Sequence, residues 1–297
     1  MPHLAEGWRD YKILATGDGY KLERWGSVYL LRPDPQAIWE APFDLFSYEK
    51  LNAYYRAEAG KKEEKWVILK PFKEEFSISR KGLTFHLKLS KNFKHTGLFP
   101  EQAANWDDMI DLIRGAGREI KVLNLFAYTG GATIAAASAG AAVTHVDAAP
   151  AMVERAKQNA ASSGLADRPI RYIVDDCLKF VNREIRRGNR YDAVIMDPPS
   201  FGRGPDGEVW KLESNLYPLL KRTAEVLSDR PLFFLINSYT TGLQPTVISD
   251  LLRLALKGTG EFAVDSYELA IPTEQGEVEL PCGCSGIARF TKGKGEL

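Results

Sequence analysis

Cysteine is scarce in this 297-residue chain: there are three, Cys177, Cys282 and Cys284. So few thiols exclude a disulfide framework and point to a reducing compartment. Net charge is missing as well, with 39 Lys and Arg against 39 Asp and Glu. A neutral chain is not a general nucleic-acid-coating protein, although a local basic face remains open. No apolar run approaches the roughly 18 residues of a membrane helix, and the Ala-rich stretch at 132–143 is too short and too small-sided. The opening MPHLAEGWRD has no apolar signal core, so a cytoplasmic protein without membrane partners is expected. The hydrophobic share of 44% and charged share of 26% are ordinary for a globular protein. The length suits a core domain plus a smaller one.

No internal repeat is present, but two regions differ in texture. Residues 1–95 read as a β-rich domain. Short apolar-aromatic runs at 11–16, 20–25 and 28–32 are separated by Gly-Asp-Gly and Gly-Ser. Phe76 and Ile78 alternate with polar residues, as do Leu83, Phe85, Leu87 and Leu89, with Arg80-Lys81-Gly82 as the turn between. The run Lys61-Lys62-Glu63-Glu64-Lys65 reads as a solvated loop. Over residues 96–297 helices and strands alternate, with strands expected at 121–126, 142–146, 171–174, 191–196 and 232–236. Helices fall between them, and 262–269 with 287–291 form a closing pair. This is the pattern of a doubly wound, mostly parallel α/β sheet with a closing antiparallel strand. Such sheets bind ligands beyond the carboxyl ends of their strands, so the residues just after each strand are the ones to read.

After the first strand come Tyr128, Thr129 and the pair Gly130-Gly131. Paired glycines there permit a tight turn and close approach of backbone to a ligand. A tight turn with packing glycines is the plainer alternative, and the Gly-x-Gly-x-x-Gly of dinucleotide binders is absent from this turn. Asp147 follows the second strand. A carboxylate there, about 20 residues beyond a glycine turn, is placed to accept from both hydroxyls of a ribose; it also precedes a helix it can cap. Asp175 and Asp176 follow the third strand, and one of them can cap while the other meets an adenine amine; Asp176 is the preferred adenine partner. The fourth strand ends in Asp197-Pro198-Pro199-Ser200-Phe201. Two prolines fix φ and remove two N–H donors, leaving carbonyls and the Asp197 side chain as acceptors for an amine. Phe201 is available to stack on a planar base. A rigid strand-ending turn is the plainer alternative.

NLFAYTGG, VDAAP, DDCLKF and DPPSF, in that order and spacing, resemble the bacterial large-subunit ribosomal-RNA methyltransferase family, whose members modify cytosine C5 or guanine N7. HTGLFPEQ, at 95–102, is similar to the segment by which that family enters its catalytic domain. The resemblance implies a Rossmann-like methyltransferase fold and S-adenosylmethionine as cofactor. It implies a pocket lined by Phe99, Gln102, Asn124, Tyr128, Thr129, Gly130, Asp147, Asp176 and Asp197. It places the catalytic residues Asp197, Pro198 and Phe201 at the transfer site. Asn124 stands where many other methyltransferases have an acidic residue. Methylating a nitrogen chiefly requires alignment with the sulfonium methyl at about 3–3.5 Å, whereas cytosine C5 needs a thiolate to add at C6 first. Relatives that do the latter use a cysteine after the fifth strand. Here Asn237-Ser238-Tyr239-Thr240 occupies that loop, so nitrogen is favoured. Cys282 and Cys284 read as structural first, substrate-facing second, and as a poor metal set, so no metal is expected.

No Asp or Glu occurs between Phe76 and Pro100, a window with Arg80, Lys81, Lys88, Lys91, Lys94, His86 and His95. A second basic cluster is Arg183, Arg186, Arg187 and Arg190. With Phe85 and Phe93 interleaved in the first, these fit a phosphate-tracking surface or a solvated basic face. RNA, most simply ribosomal, is therefore the expected substrate. The competing readings are a methyltransferase for a protein amide or small molecule, and a non-catalytic RNA-binding factor that keeps the fold.

Overall fold

A computed structural model describes residues 1–56, 65–90, 93–203, 209–240, 242–274, 276 and 278–292. Lys61–Glu64 of the charged run and Lys91 of the basic window lie outside them; Lys65 opens a strand. The strands and helices, in chain order, begin with β1 (His3–Leu4), β2 (Tyr11–Gly17), β3 (Tyr20–Trp25), β4 (Val28–Pro33), β5 (Ala53–Arg56), β6 (Lys65–Ile68), β7 (Glu75–Arg80) and β8 (Leu83–Lys88). There follow α1 (Ala103–Gly115), β9 (Lys121–Leu125), α2 (Gly131–Ser138), β10 (Ala142–Asp147), α3 (Pro150–Ser162), β11 (Ile170–Val174) and α4 (Cys177–Arg187). The chain closes with β12 (Ala193–Met196), β13 (Phe201–Arg203), β14 (Val209–Lys211), α5 (Leu212–Ala224), β15 (Phe233–Ser238), α6 (Pro245–Ala255), β16 (Glu261–Pro272) and β17 (Glu279–Lys292). Two compact units result. One holds residues Leu4–Ala104 and Ala270–Cys282, the other Met1–His3, Asn105–Leu269 and Gly283–Leu297. Among the described residues no helix is long and apolar enough to cross a membrane.

The second unit contains the core of an eight-stranded sheet in the order β1-β16-β17-β15-β12-β9-β10-β11. Its centre, β15-β12-β9-β10-β11, is parallel, and β17 joins β15 antiparallel. Strands covered on both faces become continuous apolar runs, and β12 (AVIM) and β15 (FFLINS) are buried at every position. Helix α2 is short and Ala-rich because it packs tightly: Thr133, Ile134 and Ala135–Ala137 are all buried. Pro150 and Pro245 start α3 and α6, where a missing N–H costs nothing. Asp192 secures the strand starts, accepting from Lys121 N at 2.9 Å and Ser228 Oγ at 2.8 Å, with Arg118 at 3.0 Å.

The first unit is β-rich. Strands β2-β3-β4-β5-β6 form a five-stranded sheet, antiparallel except at β4–β5, and β7–β8 form a separate hairpin. Its turn is the expected one: Lys81 and Gly82 both have positive φ, 48° and 84°, the signature of a type I′ hairpin turn. A charge cluster lies under the five-stranded sheet. Glu23 is fully buried and accepts from Arg32 at 2.6 and 2.7 Å and from the Tyr11 hydroxyl at 2.8 Å. Burial alone would raise the Glu23 pKa, but Arg32 and Lys21 outweigh it and hold the group below its ordinary value. Arg32 also donates to the Lys94 carbonyl at 3.1 Å, tying this cluster to the segment that leads to Phe99. Replacing one partner of a buried pair strands the other charge, at a cost of about 3–5 kcal/mol. Arg32→Met is expected to lower unfolding stability in urea by that amount, and an Arg32→Met, Glu23→Leu double variant to recover most of it.

Candidate active site

The residues that follow the parallel strands gather at one end of the sheet because the strands end in step. Leu125 pairs with both Val146 and Met196, and Asp147 pairs with Val174. Ala127 N donates to Val146 O at 3.0 Å, and Asp175 N to Asp147 O at 3.0 Å, so the ladder runs into the loops. This places Asn124, Tyr128, Thr129, Gly130, Asp147, Asp176, Asp197, Pro198 and Phe201 along the same edge of one unit. Phe99 and Gln102 belong to the other unit, on the turn Pro100–Gln102 and just before it.

The turn after β9 is strained. Phe126 and Tyr128 have φ of 54° and 49°, in the left-handed region that costs a non-glycine residue about 1–2 kcal/mol. Side chains hold it there. Phe126 N donates to the Cys177 Sγ at 3.3 Å, Tyr128 N to Asp147 Oδ2 at 2.8 Å, and Asn159 Nδ2 to Thr129 O at 2.8 Å. Strain of this kind clusters at binding sites. The glycines serve packing. A Cβ on Gly130 would meet the Ala156 Cβ at 2.7 Å, and one on Gly131 the Trp106 ring at 2.6 Å. The packing explanation thus accounts for the glycine pair, and the ligand signal rests on the carboxylate beside it.

Asp147 is half-buried. Its two oxygens accept one backbone N–H each, from Tyr128 and from Ala149 at 2.9 Å. A carboxylate has about four acceptor positions, so room remains for two hydroxyls, which is the donor set of a ribose. Asp147 does not cap α3, whose N-cap is Ala149 without a side-chain cap bond; its bond to Ala149 N is an Asx turn ahead of the helix. Burial raises its pKa, against the pull of the Ala149 and Tyr128 N–H groups. Asp176 caps α4, accepting from Lys179 N at 2.8 Å with one oxygen, while Asp175 pairs with Arg183. Asn124 is buried, and its amide donates to Thr133 Oγ1 at 2.9 Å, which in turn meets His145 Nδ1 at 2.9 Å. Burial holds His145 neutral, with its pKa lowered to about 4. These three residues form a polar chain inside the sheet–α2 interface.

Of the acceptors after β12, one is already spent: the Pro199 carbonyl receives Trp210 Nε1 at 2.6 Å. Trp210 also lies 5.4 Å from the Phe126 ring, bridging the strained turn and the proline loop. Sequence reading missed it, since nothing in the spacing links a tryptophan on β14 to Pro199. Asp197 stays half-buried and Phe201 is 55% exposed on β13, a hairpin partner of β14. The loop after β15 closes on this one, with the hydroxyls of Ser200 and Thr240 at 2.6 Å. A buried network of Asn105, Asn237 and Ser285, with contacts of 2.6 to 3.0 Å, fixes that loop's base.

The cysteines behave as core groups. Cys282 Sγ donates to Leu280 O and Cys284 Sγ to Leu243 O; burial raises the pKa of Cys282 well above that of a free thiol and pushes Cys284 up to about 11. Part of the first basic window is framework rather than an open stripe, although Lys81, Lys88 and Phe93 are exposed. Arg80 is buried on the Glu6 carbonyl and the Trp8 ring, Phe85 is buried, Lys88 pairs with Glu74, and Lys94 donates to Pro33 O. Arg80 and Lys94 thus satisfy carbonyls within the fold, while Lys88 meets Glu74 at the surface; composition does not reveal this.

Residues 47–248 match the family described as S-adenosylmethionine-dependent methyltransferase. A solved S-adenosylmethionine-dependent methyltransferase from Agrobacterium tumefaciens is 34% identical, with a TM-score of 0.88, over 96% of this chain and 91% of that one. The protein SMU.776, solved with S-adenosylhomocysteine, shares the fold: its TM-score is 0.73 at 21% identity, over 95% of this chain and 76% of that one. Ribosomal RNA large subunit methyltransferase K of Neisseria meningitidis is 24% identical over 80% of this chain; the match spans 66% of that relative, just under two thirds of its length.

If Asp147 holds the ribose, Asp147→Asn weakens S-adenosylmethionine binding about 10-fold or more, through two lost charge-assisted bonds. Its carboxylate form is the binding form and its pKa is raised. Affinity is therefore lost as pH falls through that raised value, beginning above the ordinary Asp range near 3.9. Calorimetry of both proteins against pH checks both points, with unfolding temperature as the control.

Proposed function

Since the chain belongs to the S-adenosylmethionine-dependent methyltransferase family, with S-adenosylmethionine as its cofactor, we propose that it methylates a base nitrogen in RNA, most simply ribosomal RNA, in the cytoplasm. Residues 96–297 form the methyltransferase domain in this proposal, and residues 1–95 a β-rich accessory domain. The observation behind the reading is the pairing at one sheet end of a pinned carboxylate, Asp147, with a proline-locked acceptor loop bearing an exposed ring, Phe201. The bound cofactor brings a methyl group activated by its sulfonium. Asp147 accepts from the ribose hydroxyls, and the free oxygen of Asp176 accepts from the adenine amine. Tyr128, Thr129 and Gly130 present the turn backbone. Asn124 acts indirectly, holding Thr133 beneath that turn.

Asp197 and the carbonyl at Pro198 accept from the base amine, so that its lone pair points away from them. Phe201 stacks on the base. The cofactor would supply its methyl to the base nitrogen and depart as the neutral thioether, and the amine proton, acidic after transfer, would leave to solvent. No base stronger than Asp197 is needed. Nitrogen is favoured over cytosine C5 because that carbon needs a thiolate, and both candidate thiols are protonated donors to carbonyls.

The test is transfer of labelled methyl to total RNA, protein and metabolite fractions from cells lacking the gene. Label in RNA at a nitrogen is expected; label confined to protein or metabolites overturns the RNA reading. A Cys282→Ser, Cys284→Ser double variant is expected to keep its rate within about threefold, under ~1 kcal/mol. Loss of the rate in a stably folded double variant would return the mechanism to carbon.

A further inference from the structure

A basic face lies on the opposite end of the sheet from the transfer loops. Between Arg168 and Arg190 there are seven basic residues and three acidic ones, in a chain whose total charge is zero; Arg168, Arg171, Arg186, Arg187 and Arg190 belong to this end, while Lys179 is in the first turn of α4 and Arg183 pairs with Asp175 after β11. The rest of the molecule is therefore net negative. The arginines are on β11, an edge strand of the large sheet, and on α4, which runs back beside it. Arg168 precedes the start of β11, and Arg186, Arg187 and Arg190 occupy the end of α4 and the approach to β12. Helix α4 has 11 residues, so this end lies about 16 Å from its N-terminus at Asp176.

Part of the array is pre-organised. The fully buried Glu184 carboxylate accepts from Tyr191 at 2.6 Å, Asn189 at 2.8 Å and Arg187 at 3.2 Å, with Arg171 at 3.6 Å. The guanidiniums of Arg171 and Arg183 lie over the Phe180 ring, 5.7 and 5.8 Å from its centre. Their forks are held while much of each remains open to solvent. The side chains of Arg168 and Arg186 enter no hydrogen bond or ion pair among the described residues, and Arg190 reaches only the Asn189 carbonyl. Cations in a last helical turn favour the helix dipole by about 0.3–1 kcal/mol each. That accounts for Arg186 and Arg187 but not for Arg168 and Arg190, which lie off the helix.

We propose that this face docks the phosphate backbone of a structured RNA, so that the substrate is held at two places, the transfer loops and the arginine face behind them. Guanidinium forks match phosphate oxygens two at a time, and an array spread over a helix length suits a ligand with repeating phosphates. The proposal rests on RNA being the substrate. It makes the preferred substrate a folded RNA large enough to pass from one end of the sheet to the other.

An Arg168→Gln, Arg186→Gln, Arg190→Gln variant tests it, with deproteinised large-subunit ribosomal RNA as the probe. Each lost phosphate contact flattens the slope of log affinity against log salt by about 0.7–0.9, so a decrease of roughly 2 to 3 is expected for three. KM for that RNA is expected to rise about 10-fold or more, with kcat, S-adenosylmethionine affinity and unfolding temperature unchanged. A variant with the wild-type slope and KM overturns the docking face and leaves the RNA reading standing. A wild-type enzyme that binds no RNA and labels only protein or metabolites overturns both. Loss of binding to an acidic ribosomal protein, with RNA binding intact, assigns the face to protein and also overturns the proposal.

Discussion

Two backbone N–H groups meeting one carboxylate organise the mouth of the sheet. Asp147 receives Tyr128 N on one oxygen and Ala149 N on the other. The first bond pins the strained turn after β9; the second fixes Ala149, the residue before helix α3. That carboxylate is one of the groups that compensate the left-handed backbone at Tyr128 and orient the turn at Thr129 and Gly130. The turn has further supports, and each comes from a different element. Cys177 at the start of α4 accepts from Phe126, Asn159 in α3 donates to Thr129, and Trp210 on β14 packs on the Phe126 ring. The strain is thus distributed over α3, α4 and the β13–β14 hairpin, which is how about 2–4 kcal/mol of unfavourable backbone over two residues is tolerated.

The proline loop after β12 is held in a related way. Pro198 and Pro199 fix its backbone, and Trp210 takes up the Pro199 carbonyl that would otherwise compete for a donor. Asp197 is left half-buried at the loop's start, with Phe201 exposed at its end. The loop after β15 locks to it through Ser200 and Thr240. In the proposed mechanism one side of this surface orients the cofactor and the other the base. The protein's contribution is then placement rather than proton removal, which agrees with a pocket edge containing carboxylates and carbonyls but no thiolate.

The alternation of strands and helices was legible because buried parallel strands and amphipathic helices leave different periodicities. The strands at 121–126, 142–146 and 171–174 fall within two residues of the observed elements. Strands β5, β6, β13 and β14 were not legible. They have three or four residues each, too few for alternation to stand out, and β5 pairs parallel with β4 across an intervening loop. At the site, the positions of Asp147 and Asp197 could be read from strand ends alone. The packing role of the glycines, the spent Pro199 carbonyl and the internal use of Arg80 and Lys94 could not. Each depends on partners tens of residues away in the chain.

The central claim is that the Asp147 carboxylate, already fixed by two N–H groups, holds the ribose of the cofactor. A crystal structure of the protein with S-adenosylhomocysteine tests it most directly. The expected result is both ribose hydroxyls within about 2.5–2.8 Å of the Asp147 oxygens, with the Tyr128 and Ala149 bonds retained. A ribose bound elsewhere, with Asp147 contacting only its two backbone partners, would contradict the account and reduce Asp147 to a structural clamp.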